Sequence, residues 1–320
     1  NIYIRFPMLK MPISRLRDLL SNPPQYVIDP EETRENKVAR LLLALYQRDR
    51  RGLFLKTYAH FMKQYPNSDY REIVQNLAAQ LHFNTYVDNK NLAALEKAQE
   101  IYERLMQEFP DSPLRQRTEL LLGFAELERG SALTTIQRFQ SFKETYPDSP
   151  YVDSANKAIA ESFLSLHKYE DALKVYQKIL DNPKVKKNGV ETAFRVGDVF
   201  FQKENFRRAV ESYQKALKIF PDGEKKYPNA HYNIAESLFW QGEYYDSLKH
   251  YVEFIQLFPA HNHAGYAMTR IGELLDILGA PEKKVVGAFL ESQFRYQDSP
   301  GAEIAKIRLI SRRMKGMKRK

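Results

Sequence analysis

The sequence predicts an all-α solenoid of about seven helical hairpins, and three observations carry that reading. Pairs ending in proline punctuate the chain at Tyr65-Pro66, Phe109-Pro110, Tyr146-Pro147, Asn182-Pro183, Phe220-Pro221 and Phe258-Pro259, with successive prolines 44, 37, 36, 38 and 38 residues apart. Independently, one aromatic recurs at Tyr58, Tyr102, Phe139, Tyr176, Tyr213, Tyr251 and Phe289, spaced 44, 37, 37, 37, 38 and 38. Within each period, two apolar patterns of helical spacing flank a short polar break, so each unit is an antiparallel pair of helices.

Taken in order, residues 1–30 form an arm punctuated by Pro7, Pro12, Pro23, Pro24 and Pro30, with one short helical stretch near Ile13 to Leu20. It is expected to be extended, lying along the first repeat or continuing from a preceding segment. Residues 31–300 carry the repeats. The unit ending at Pro110 holds an insertion of about eight residues around Tyr86 to Asn91. The unit from Val190 to Pro221 is clearest: Ala193, Val196, Gly197 and Phe200, then the turn Gln202-Lys203-Glu204-Asn205, then Ala209, Tyr213, Ala216 and Phe220. Proline disfavours helical geometry in the residue before it and so ends each second helix. Ser112-Pro113, Ser149-Pro150 and Ser299-Pro300 are expected to place a hydroxyl at the next helix cap and proline at its first position. Small residues at Gly123, Ala160, Gly197, Ala235 and Gly272, and at Ala98, Ala172 and Ala209 in the second helices, let paired backbones approach, and the recurrent aromatic fills the gap. Residues 301–320 form a capping helix, or the first half of an eighth hairpin, with Ile304, Ile307, Ile310 and Met314 on one side, followed by a basic tail.

Composition excludes several classes of function. The 320 residues include no cysteine, which removes disulfides, thiolate metal sites and cysteine nucleophiles. No apolar run approaches the ~20 residues of a membrane-spanning helix, so no transmembrane segment is expected. The formal charge is +9, but Lys306, Arg308, Arg312, Arg313, Lys315, Lys318, Arg319 and Lys320 supply eight of these charges with no intervening acid. The basicity is a tail property that could serve solubility or weak contact with an anionic surface, and no aromatics interleave to support specific nucleic-acid recognition. Phosphate-binding and zinc-protease motifs are missing, and His261-x-His263 reads as an inter-repeat loop, so no enzyme, cofactor or metal is expected. The chain begins at Asn1 without an initiator methionine and shows no signal peptide, as a mature form or a fragment would.

These units resemble the tetratricopeptide repeats over roughly Glu35 to Ser299, through the pairs Val196-Gly197 and Ile234-Ala235, the aromatic Phe200 and the set Ala209, Tyr213, Ala216 and Pro221. The resemblance implies a right-handed superhelix whose concave groove, lined by the first helices, binds a protein or peptide partner. A second stripe on those helices, Phe194, Asp198 and Phe201 and then Tyr232, Glu236, Phe239 and Trp240, is the candidate groove lining, its aromatics either facing a ligand or packing between helices. Phe201, Phe239 and Trp240 are expected to be partly accessible. The Pro-Asp-Ser-Pro junctions at Phe109 to Pro113 and Tyr146 to Pro150 resemble those of bacterial envelope proteins of the BamD and Tol-Pal coordinator kind, which implies an adaptor in the periplasm or cell envelope. A regulatory or recruiting domain of a larger enzyme, or a cytoplasmic adaptor with an anion-binding tail, are the alternatives.

Overall fold

The computed structural model describes residues 3–8, 24–30, 33–181 and 189–317. Among them are fifteen α-helices and no strand. In chain order these are α1 (Arg34–Gln47), α2 (Arg51–Gln64), α3 (Arg71–Asn89), α4 (Leu92–Glu108), α5 (Arg115–Glu128), α6 (Ala132–Thr145), α7 (Val152–Ser165) and α8 (Tyr169–Leu180). The order continues with α9 (Gly189–Gln202), α10 (Phe206–Ile219), α11 (Pro228–Gln241), α12 (Tyr244–Leu257), α13 (Ala264–Ile277), α14 (Glu282–Arg295) and α15 (Pro300–Met317). Consecutive helices pack as hairpins six times within one unit or the other, and α7 and α8 supply the two helices of a further repeat on either side of the division between the units. The chain divides into two compact units, one of residues 13–167 and one of residues 1–12 with 168–320.

The six hairpins within the units turn on one residue in the left-handed region, Asp49, Lys90, Gly130, Glu204, Gly242 or Gly279, and His167 has the same conformation. That conformation ends the first helix and reverses the chain. At the other end, Tyr65, Phe109, Tyr146, Phe220 and Phe258 leave the helix with φ between −127° and −132°, as the following proline requires. The junction at Asn182-Pro183 and the stretch Ile13 to Leu20 lie outside the described residues.

The ring-and-glycine packing is direct. A Cβ added at Gly123, Gly197 or Gly272 would lie 2.4, 2.6 or 2.6 Å from the ring of Phe139, Tyr213 or Phe289, respectively. No other residue fits these first helices without moving the ring. The insertion is absorbed as helix: α3 has 19 residues and α4 has 17, against 14 in most of the others, which accounts for the eight.

Three expectations need correction. Only Ser299 caps a helix that starts with its proline, its hydroxyl accepting from the Ala302 amide at 3.1 Å. Ser112 and Ser149 instead accept from the amides of Leu114 and Tyr151, at 2.9 and 3.3 Å, closing a turn ahead of α5 and α7. The arm does not keep to the first repeat. Residues 24–30 do lie there, with the Asp29 carbonyl accepting from Arg40 at 3.0 Å, but residues 3–8 belong to the second unit. Nor do Arg308 and Arg312 belong to a loose tail. Arg308 pairs with Glu273 at 2.7 Å, and Arg312 with Asp276 at 2.7 Å and with Glu282, so α15 is an ordered, ion-paired helix to that point. Ala302 and Ala305 are buried, Ala305 and Leu309 packing with Val285 and Phe289, while Ile307, Ile310 and Met314 are exposed.

Candidate binding groove

The first helices of the second unit carry two interlocking columns of polar residues. Asp198, Glu236 and Glu273, spaced 38 and 37, each follow the small residue that receives the ring. Asn233, Arg270 and Arg308, spaced 37 and 38, reach back to them from the next helix. The ring that fills the gap carries its hydroxyl to the carboxylate: Tyr213 donates to Asp198, and Tyr251 to Glu236. Burial, then the neighbouring carboxylate, holds both phenols well above the usual tyrosine pKa, so each remains a donor. Asn229 and Asn233 donate to Asp198 at 3.0 and 3.3 Å, and the buried Arg195 pairs with its other oxygen at 3.5 Å.

Arg270, with no exposed surface, centres the next layer. Its Nε and Nη2 donate to Glu236 at 3.2 and 2.9 Å, its Nη1 to Glu273 at 2.6 Å, and Nη2 again to the Ile4 carbonyl at 2.7 Å. The guanidinium lies 3.9 Å from the ring centres of both Phe6 and Phe239. Burial works against its charge, but the two glutamates outweigh that and hold its pKa above the ordinary arginine value. Burial raises the pKa of Glu273 against the pull of Arg270 and Arg308.

Residues Tyr3 to Met8, without regular secondary structure, occupy this face. Tyr3 stands edge-on to Phe239 at 5.5 Å, and Arg308 lies 5.6 Å from its ring. Arg5 pairs with Glu204 and lies 5.5 and 5.4 Å from the Phe201 and Phe206 rings. Phe6 is buried, its amide donating to Glu236 at 3.2 Å and its ring 5.0 Å from Tyr266. Met8 packs on the cluster that contains Phe194 and Phe201.

The seven candidate lining residues divide accordingly. Phe194 stacks on Tyr227 at 4.6 Å, and Tyr232 meets Tyr251, Phe254 and His263 at 5.7, 5.3 and 5.1 Å, so both pack between helices. Asp198 is enclosed in its hydrogen-bond shell. Phe201, Glu236 and Phe239 touch the arm. Trp240 stands at the edge, 38% exposed, with its indole N–H donating to Glu236 at 2.8 Å. The expectation that Phe201 and Phe239 are accessible fails: they are 1% and 4% exposed, because Arg5 and Phe206 cover one and Tyr3 and Arg270 the other. Sequence reasoning missed Arg270 and the arm. The column Arg195, Asn233, Arg270 and Arg308, spaced 38, 37 and 38, was the available signal for the former.

Burial also sets a pH dependence. It holds His82 and His261 below the usual histidine pKa of 6.5, and with His261 nearby it pushes His263 down to about 4. The unfolded chain therefore takes up protons that the fold refuses. The stability these groups contribute is present above pH 6.5 and is lost as the pH falls towards about 4. The urea midpoint should drop between about pH 7.5 and about pH 5, and His263→Asn should flatten that drop. Glu273 acts in the opposite sense, so a slope unchanged in the variant would mean that His263 does not contribute.

Helical hairpins repeated at a fixed period define a helical-repeat protein. Residues 62–231, more than half of the chain, match the tetratricopeptide repeat-like domain, and residues 197–267 match the tetratricopeptide repeat. The chain belongs to the tetratricopeptide repeat family. Similar solved structures include the C-terminal part of a repeat-containing protein from Cytophaga hutchinsonii (13% identity, 83% of this chain and 98% of that one, TM-score 0.61). Others are the apo form of RapI (14%, 84% and 78%, TM-score 0.57) and pilF of Pseudomonas aeruginosa (14%, 73% and 97%, TM-score 0.53). At these identities the likeness shows the fold alone. A search of curated proteins finds no match. Tetratricopeptide repeats imply a scaffold for protein–protein interaction and are generally non-enzymatic. Among the described residues, no helix is long and apolar enough to cross a membrane.

Proposed function

We propose that the second unit grips an extended segment of a partner protein on the face that Tyr3 to Met8 now hold, within a bacterial cell-envelope assembly of the BamD or Tol-Pal coordinator kind. The observation that carries this is the grip on the arm's main chain from both sides: Arg270 takes the Ile4 carbonyl and Glu236 takes the Phe6 amide. Main-chain bonds of this sort hold any extended segment, while the surfaces around Tyr3, Arg5 and Phe6 select two aromatics with a cation between them. The arm is thus a placeholder with the chemistry of the partner. The Pro-Asp-Ser-Pro junctions support the envelope setting, which cell fractionation with an antibody to the chain tests: recovery in the cytoplasm would overturn it.

The binding test uses a labelled peptide with the sequence of Tyr3 to Met8. A full-length variant carrying Arg5→Ala and Phe6→Ala should bind it more tightly than the unaltered chain, with Trp240 fluorescence reporting occupancy. Trp240→Ala in that background should weaken binding by about 2 kcal/mol and leave helical content unchanged. Equal binding by both proteins would mean that the peptide docks elsewhere.

A further inference from the structure

The hairpin of α11 and α12 carries a cluster that the groove does not use. His231 lies on α11, and His250 and Glu253 lie one turn apart on α12. Glu253 Oε2 is 3.2 Å from His250 Nδ1 and 3.6 Å from His231 Nδ1, and donor atoms of all three residues fall within 4.8 Å of one another. Zinc bonds imidazole nitrogen and carboxylate oxygen at about 2.0–2.2 Å, so ligands sharing a tetrahedron lie roughly 3.3–3.6 Å apart. Two edges of the triangle already have close to that length. The third, between the histidines, closes by a tilt of the partly exposed His250 ring.

We propose that His231, His250 and Glu253 bind one divalent transition ion. Zinc best matches two imidazoles and one carboxylate, with water in the remaining position on the half-buried side. His231 is buried at 3% exposure and fixed on the first helix, while His250 and Glu253 come from the second, so the ion would tie the hairpin together across its seam. This is separate from the ring-and-glycine contact, which Ala235 and Tyr251 make in this repeat. The adjacent His261-x-His263 pair is a different group: its rings are 5.5 Å apart, and it belongs to no three-ligand cluster among the described residues. Hydrogen bonds from two imidazoles to one carboxylate would use the same atoms, and adding metal separates the two cases.

The full chain, stripped with chelator, is titrated calorimetrically with zinc chloride at about pH 7.5, where histidine is neutral and able to ligate. One ion per chain should bind at micromolar concentration or tighter, with a rise in melting temperature. Cobalt(II) in its place should give the intense visible bands of a tetrahedral site. Joint His250→Gln and Glu253→Gln substitution, at two partly exposed positions, should weaken zinc about 10- to 100-fold or more, whereas His261→Asn should leave it unchanged. The proposal is overturned if zinc at about 100 micromolar does not bind, if the double variant keeps full affinity, or if His261→Asn abolishes binding. Should the double variant prove misfolded by circular dichroism, the cobalt spectrum of the unaltered chain decides, and absence of tetrahedral bands overturns the site.

Discussion

Arg270→Ala is expected to destabilise the second unit by roughly 3–5 kcal/mol, the largest single effect outside the ring contacts. The side chain is wholly buried between Glu236 and Glu273, themselves 0% and 2% exposed as side chains. Truncation leaves Glu236 with hydrogen bonds but no cation, and Glu273 with Arg308 alone. It also removes the donor to Ile4 and the surface between the Phe6 and Phe239 rings. Urea unfolding near pH 7 measures the loss. A second measurement identifies the cause. Uncompensated buried carboxylates have raised pKa values, and a group whose folded pKa is raised stabilises the fold below that pKa and ceases to as the pH rises through it. The variant should therefore recover part of its deficit as the pH is lowered, relative to the unaltered chain. A loss within about 1 kcal/mol would mean that water replaces the guanidinium at little cost and that the layer does not depend on its charge.

Tyr213→Ala should cost a further independent 3–5 kcal/mol or so, by the usual effect of deleting a buried aromatic. The ring lies where a Gly197 Cβ would be, so helices α9 and α10 cannot close over the cavity without changing their crossing. Asp198 also loses its phenolic donor. Tyr213→Phe separates the two contributions. It keeps the packing and removes the hydrogen bond to a buried carboxylate together with the one the phenol accepts from Asn233 at 2.9 Å, for an expected loss of about 1–3 kcal/mol. A neutral Tyr213→Phe would show that Arg195, Asn229 and Asn233 satisfy Asp198 without the phenol, while a neutral Tyr213→Ala would place the ring outside the core.

What could be read in the sequence is what repeats. The pairing of Gly197 with Tyr213, of Gly123 with Phe139 and of Gly272 with Phe289 follows from one steric rule applied at a fixed period, so both the helices and their contacts were legible. The groove was less so. A single helix shows that Phe194, Asp198 and Phe201 share a side, but which of them another hairpin covers depends on Tyr227 and Asn229, from a helix some thirty residues on. Arg308 and Arg312 looked unpaired because no acid lies near them in the chain. Their partners Glu273, Asp276 and Glu282 stand 30 to 36 residues earlier. Ser112 and Ser149 carry the usual marks of a cap, yet the turn takes their hydroxyls first. The arm has no period at all, and only the three-dimensional complementarity of Tyr3, Arg5 and Phe6 reveals where it goes.

Because Tyr3 to Met8 are covalently part of the chain, they would compete with the proposed partner segment at an effective concentration that for tethered segments is on the order of millimolar. A soluble peptide of equal intrinsic affinity would have to reach that level to displace them. A partner presented from a surface, or holding the scaffold through a second contact, meets no such barrier, since its own segment is also delivered at high local concentration. With the partner proposed above, the arm would act as a threshold device: to the selection by side-chain chemistry it would add a selection by how the ligand arrives.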